Sequence, residues 1–391
     1  MSNSPNLIKL TGANGLRSRL ILSMLSGRSI KINDIRGMDE NPGLKDYEAS
    51  LLRLADKMSN GVRIAINETG TGLRFSPGEL VGGEIYHEVP ISRSVVYLLE
   101  FAAALAPFCK NPLVLRMKGV THDSHDNSID VFKSGTLQVL QRVLAQSLPS
   151  ESEVQLDLVL ERRGVASAGD GSVKFTCPVL NKGVLPIDLS NDEGKVKRIR
   201  GVAWTSQIST QFSAAVIDAA RGVLNPCLSD VWIYTDAVKG AIAPGYGVSL
   251  VAETDKGVVK CSSAVRGADS DDAKGLGEEA ANHLLSEIQC GGTVDSSHQW
   301  LVVLFMALSG DYKISKAVFG DNITSYTIEW LKNIKEFLGV KFNISSSGQQ
   351  EKIETIDEDG DCTPTIQTVQ IDNIKLECIG VNLVNSARRT F

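Results

Sequence analysis

Apolar positions along the chain switch between two periods. Residues from Leu16 to Leu25 repeat at helical spacing and stop at Gly27, after which Ile30, Ile32 and Ile35 read as a strand. The segment DYEASLLRLADKMSNG is a second helix ended near Asn60 and Gly61. Val62, Ile64 and Ile66 then alternate into a hairpin, with Leu73 and Phe75 in the following strand. The order is helix, strand, helix, strand, strand.

That order returns twice. Ser92 to Ala106 is an apolar helix, Leu113 to Met117 a strand and Ile129 to Leu144 a helix, followed by Val154 to Glu161 and Val173 to Pro178 as a strand pair. Near the end, Val294 to Leu308 is a helix, Tyr312 to Phe319 a strand, Thr324 to Leu338 a helix and Val340 to Ile344 a strand. Ile328, Leu331, Ile334 and Leu338 mark the expected apolar face of that last helix, with Thr324 or Ser325 as cap and Gly339 as stop. The acidic run Asp357 to Asp361 interrupts before two further strand candidates, Ile366 to Ile371 and Ile374 to Val381.

Residues 185–285 fall outside the series. VKRIRGVAWTSQIS and DVWIYTD read as strands around a helix from Phe212 to Val223, then GVSLVAETDKGVVKCSSAV as a hairpin and Gly277 to Ile288 as a helix. The expected fold is therefore α/β (α+β). Three repeated units, two in 1–184 and one in 286–391, form a pseudo-threefold large domain, since each helical layer must cover a sheet face. A smaller α/β domain is inserted at 185–285, with the polar turn Asn191 to Lys195 as hinge.

Composition narrows the class. The 391 residues, 42% hydrophobic and 22% charged, exceed a single ordinary core and suit a globular protein. A formal charge of −6 excludes a general nucleic-acid coat and leaves room for a local basic groove. The seven cysteines, Cys109, Cys177, Cys227, Cys261, Cys290, Cys362 and Cys378, are scattered without CxxC spacing, which fits reduced thiols in an intracellular protein. MSNSPNLIKL lacks a secretory pattern, and no run approaches the ~18 apolar residues of a membrane span.

Motifs for chemistry are sparse. The sequence holds no GxxxxGK[ST], GxSxG or HExxH pattern. His122, Asp123, His125 and Asp126 cluster in THDSHDNSID, a ligand set that more often sits solvated in a polar loop, so no metal is expected. TGANGLRSR, from Thr11 to Arg19, is a small-residue turn opening a helix. Its backbone N–H groups with Arg17 and Arg19 can hold a phosphate, although a plain tight turn with surface arginines reads the same way. Arg36, Arg162 and Arg163 stand at strand ends or turns, and Lys332, Asn333 and Lys335 add donors along the last helix.

The ordered set LSGRSIKINDIRGMDENPGLKDYEAS, GVTHDSHDNSIDVFKSG, LERRG, KVKRIRGVAW, GYGVSLVAET, GGTVDSSHQ and TSYTIEWLKNIKEFL resembles the RNA 3′-terminal phosphate cyclase superfamily over nearly the whole chain. Within it, the chain is most similar to the eukaryotic cyclase-like branch of ribosome biogenesis. The resemblance implies three translation-initiation-factor-type α/β units and one inserted domain. Active cyclases adenylate a histidine in a turn opening a helix; the gap-free match places Tyr326 there, and no histidine occurs from Gly310 to Phe391. A phenol lacks the neutral nitrogen that makes histidine a phosphoramidate-forming nucleophile. The family's Gly-Glu-Gly-Gly-Gly-Gln turn becomes Thr11-Gly12-Ala13-Asn14-Gly15-Leu16, without the carboxylate, and a cyclase glutamine becomes Glu100.

The resemblance thus implies a protein without cyclase activity and without a bound cofactor, monomeric when alone. It implies a nuclear, nucleolar assembly factor of the small ribosomal subunit, acting in early 18S pre-rRNA processing within the small-subunit processome beside a ribosome-biogenesis GTPase. The expected RNA or anion contacts are Arg17, Arg19, Arg36, Arg162, Arg163, Lys332, Asn333 and Lys335. The alternative is a pre-rRNA endonuclease that reuses the old pocket.

Overall fold

The computed structural model describes residues 7–148, 154–166, 168–180, 182–238, 243–267, 269–355 and 365–384. The acidic run Asp357 to Asp361 lies outside the described residues. The chain is a mixed α/β protein with three four-stranded sheets of one design and a fourth of another.

In the first sheet Leu7–Thr11 lies parallel to Ser29–Asn33, which pairs antiparallel with Leu73–Ser76, which pairs antiparallel with Arg63–Ile66. The second sheet repeats this arrangement with Gly83–Glu88, Leu113–Gly119, Gly171–Cys177 and Asp157–Arg162. The third repeats it with Asp188–Leu189, Ile314–Phe319, Thr365–Ile379 and Asn343–Thr355. Parallel neighbours require a crossover, and a helix supplies it each time: Leu16–Ser26, Val95–Leu105 and, after the insert, Gln299–Leu308.

Each sheet therefore begins with a strand that the helix-first reading of the sequence omits. Leu7–Thr11 is short and alternating, and Asp188–Leu189 spans two residues, too little for a periodic signal. Asp188–Leu189 lies inside the 185–285 segment yet pairs with Lys316 and Ala317 of the third sheet. The elements of the insert run from Val196–Ser206 to the Ala273–Gln289 helix, which starts four residues before the expected Gly277.

The crossover helices are central. Every residue of Val95–Leu105 except Tyr97 and every residue of Gln299–Leu308 is buried, as expected of helices that are apolar all round. Leu16–Ser26 touches both Val95–Leu105 and Ser325–Leu338, and the latter packs on Gln299–Leu308, so elements of all three units meet. The Ser325–Leu338 helix differs from its expected face. Trp330, Ile334 and Phe337 are buried, whereas Ile328 is 43% exposed and Leu331 and Leu338 are only partly covered. Trp330 stacks on Trp300 with ring centroids 5.2 Å apart, and that large contact rotates the helix away from the aliphatic stripe.

The insert has its own sheet, ordered Val231–Val238, Val196–Ser206, Gly245–Thr254, Val259–Gly267. The helices Gln211–Leu224 and Ala273–Gln289 cover one face around a separate apolar core that includes Ile199, Val216, Ile233, Leu250 and Leu276. Part of the other face meets the large unit: the Ser128 and Ser249 hydroxyls lie 2.7 Å apart, and Cys261 N–H donates to Asp295 at 3.1 Å. No helix among the described residues is long and apolar enough to cross a membrane.

Candidate functional site

The junction of the three units is organised around Arg17. It lies in the first turn of Leu16–Ser26 and is only 8% exposed. Its guanidinium donates to the Tyr326 hydroxyl at 2.7 Å and the Tyr97 carbonyl at 3.1 Å, and lies 2.5 Å from a Glu100 carboxylate oxygen. It also rests 4.6 Å from the Tyr97 ring centroid, 5.7 Å from that of Trp300 and 5.8 Å from that of Tyr326. Burial alone would lower the Arg17 pKa, but the Glu100 carboxylate reverses that, so the cation stays charged.

A second arginine extends the stack. Arg93 forms a two-pronged pair with Asp126 at 2.6 and 2.9 Å and sits 5.3 and 5.0 Å from the rings of Tyr47 and Tyr97. Tyr47, Arg93, Tyr97, Arg17 and Tyr326 thus form a cation and ring ladder through all three units. Sequence reasoning found Arg17, Glu100 and Tyr326 and missed Tyr97, Trp300 and Arg93. Tyr97 precedes Glu100 by three residues on an apolar helix, so their shared face was available as a signal.

Tyr326 is held as a neutral phenol. Burial raises its pKa, opposed in part by Arg17, and its oxygen accepts the Arg17 hydrogen bond. A protonated phenol whose lone pair is engaged by a cation is a poor nucleophile at neutral pH. Thr324 caps the helix, accepting from Thr327 N–H at 3.1 Å while its own N–H donates to Gln299 at 3.1 Å.

The Thr11–Leu16 turn is internally occupied. Arg19 folds back to donate to the Gly12 carbonyl at 2.8 Å and the Thr11 carbonyl at 3.3 Å, which fixes the turn rather than presenting a cation to a ligand. Gly15 has φ +62°, and Glu329 Oε1 comes within 2.6 Å of where a Cβ on Gly15 would stand. The bare glycine lets this carboxylate of the third unit approach the N-terminus of Leu16–Ser26, a place that favours an anion.

The remaining predicted residues are scattered. Arg36, at φ +47°, pairs through two bonds of 2.8 and 2.7 Å with Glu48 and donates to the Gly43 carbonyl, fastening its loop to the Asp46–Met58 helix. Arg163 pairs with Asp130 at 2.5 and 2.9 Å, with Asp236 of the insert at 2.7 Å and with His122 Nε2 at 3.0 Å. Arg162 pairs with Asp170 at 2.8 Å on a half-exposed strand end. Lys332 and Lys335 are exposed, whereas Asn333 turns inward to donate to Ser18 at 3.0 Å. These three donors do not share one face.

The THDSHDNSID cluster is likewise a structural joint. Asp123 accepts from the N–H groups of Ser94, His125 and Asp126, and Asp126 faces Arg93. His122 is buried between Asp130, Arg163 and Thr121, its ring tilted against the Trp204 ring of the insert with centroids 4.7 Å apart. A different trio, Cys261, Asp295 and His298, brings its ligand atoms within 4.8 Å of one another. Its histidine is already committed, to Asp295 at 2.5 Å and to Thr136 at 2.8 Å.

Comparison with known proteins agrees with the fold. The family model described as RNA 3′-terminal phosphate cyclase matches residues 8–344, and the chain belongs to this family. Among similar proteins, an RNA 3′-terminal phosphate cyclase-like protein of Mus musculus is 39% identical over 395 residues, covering 99% of each chain. Its counterpart in Homo sapiens gives the same identity and coverage. The rRNA processing protein rcl1 of Schizosaccharomyces pombe is 36% identical over 353 residues, 88% of this chain and 94% of that protein.

Proposed function

We propose that the chain is a non-catalytic assembly factor of the small ribosomal subunit, required for early pre-rRNA cleavages that lead to 18S rRNA. On this reading it resides in the nucleolus, works within the small-subunit processome and binds a ribosome-biogenesis GTPase. The observation that carries the proposal is the Arg17 cluster. A phenol stands where the family's resemblance puts a histidine, and its hydroxyl is held by Arg17, itself paired with Glu100. Adenylate transfer needs a free nucleophile and a cation free to meet phosphate, and here both are engaged with each other. The rRNA processing name of the fission yeast relative supports the RNA context.

An endonuclease reading calls for Lys332, Asn333 and Lys335 to act together on a scissile phosphate. With Asn333 bonded to Ser18, only the two lysines remain on the solvent side, and the geometry gives that reading no particular support.

Depleting the chain from its cells and probing pre-rRNA by hybridisation tests the proposal. The expected result is accumulation of early precursors and loss of 18S rRNA, with the large-subunit rRNAs maintained. Unchanged 18S production would refute it.

A further inference from the structure

We propose that the insert carries a stacking platform for single-stranded RNA, formed by Trp232 and Tyr234 on the open part of its sheet, with Arg221 as the attendant cation. The inference rests on the reading that the chain works on pre-ribosomal RNA, and it assigns that contact to a surface separate from the Arg17 junction.

The strand Val231–Val238 is the edge of the insert sheet. Val231 and Ile233 are buried in the core under the helices, so the alternating Trp232 and Tyr234 stand on the opposite face, 51% and 58% exposed. Their ring centroids are 6.2 Å apart, inclined by 45°. The other three tryptophans, Trp204, Trp300 and Trp330, are at most 2% exposed, which singles out Trp232 as the one large indole left in water.

The surroundings suit bases and a phosphate chain. In the neighbouring strand Arg200 and Val202 stand in register beside Trp232 and Tyr234. Arg200 is held by Asp230 at 2.8 and 3.1 Å, Arg198 by Glu253 and Arg163 by Asp236. Arg221, at the end of the Gln211–Leu224 helix on the covered face, reaches the edge strand to lie 5.7 Å from the Trp232 ring centroid and makes no ion pair among the described residues. Further along the same strand, Asp236 and Val238 line a cleft of about 300 Å³ with Arg162 and Arg163, which continues the strip toward the second sheet.

A peptide adding to this edge would use the backbone N–H and C=O groups of the strand and would not need rings on the open face. Two aromatic rings two residues apart on an open sheet face, one with an arginine against it, match how splayed bases are taken up. The nearby carboxylates occupy the other arginines, so stacking dominates and salt dependence is shallow, about one released counterion, set by Arg221.

The test uses the full chain, a fluorescein-labelled oligouridine and a matched RNA duplex. The single strand is expected to quench the solvent-exposed part of the tryptophan emission, which Trp232→Phe abolishes while keeping most of the affinity. Trp232→Ala and Tyr234→Ala each weaken binding by about tenfold in fluorescence anisotropy, with an unchanged circular-dichroism spectrum because both side chains are exposed. Arg221→Gln removes the salt slope. Equal binding of duplex and single strand, absence of binding, or an affinity unaffected by the double alanine variant would overturn the platform. A peptide-type edge site would show as binding of an extended peptide with no effect of either ring. None of these results bears on adenylation, which concerns Tyr326 and Arg17.

Discussion

Arg17 and Glu100 are a buried ion pair, and removing one partner strands the other without solvent. Arg17→Met is therefore expected to cost about 3–5 kcal/mol in urea denaturation, and Arg17→Met with Glu100→Leu to recover most of that loss. Tyr326→Phe deletes one hydrogen bond while the Arg17 guanidinium keeps the Tyr97 carbonyl and Glu100, and is expected to cost about 1 kcal/mol. His87 gives a pH signature. Burial, with Lys57 and Arg53 nearby, lowers its pKa from 6.5 to about 4, while its ring bonds Ser50 at 2.8 Å. The unfolded chain takes up this proton first, so the contribution of His87 to stability falls as pH drops from 6.5 to about 4 and levels off below. Thermal melts across that window are expected to show a shallower decline in His87→Gln. At this scale the sequence disclosed identities and not partners. Arg17 and Tyr326 are 309 positions apart, and only the meeting of three units shows that one binds the other. Asn333 looked like a donor beside two lysines because spacing alone does not say which face of a helix is covered.

The crossover helices were legible because continuous apolar runs such as VVYLLEFAAAL and QWLVVLFMAL admit no exposed face. The face of Ser325–Leu338 was not, since Ile328 and Leu338 compete with Trp330 and Phe337 for the interior and a partner ring, Trp300, decides the outcome. The sequence left the cap between Thr324 and Ser325, and the structure gives it to Thr324: Thr324→Ala is expected to cost about 1 kcal/mol in the same denaturation assay. The helical run 129–144 contains a π-helical turn, Phe132–Thr136, that no periodicity announced. It brings Gly135 against Cys261 and His298, with Cys261 Sγ 2.4 Å from where a Cβ on Gly135 would stand, so Gly135→Ala is expected to lower the melting temperature measurably. Of the leading strands, only Asp188–Leu189 is too short to leave a pattern.

For the whole molecule, the recurrence of one element order was the most readable feature, and three of the sheets share one strand arrangement. The second α/β unit was expected from a break in that pattern, and the elements from Val196–Ser206 to Ala273–Gln289 have a sheet and an apolar core of their own. The convergence of the units on one cation was not, since it depends on how three separate sheets pack. On that convergence rests the proposal that the chain, built on the fold of the cyclase family, is closed at its centre by the contacts among Arg17, Glu100 and Tyr326. The most direct test incubates the purified chain with α-phosphate-labelled ATP and an RNA bearing a 3′-phosphate. No label on the protein and no cyclised end are expected, also for Tyr326→His, because Arg17 stays paired with Glu100 and the turn at Thr11 to Leu16 holds no acidic residue of its own. Covalent label on the unaltered chain, or conversion of the RNA end, would contradict it.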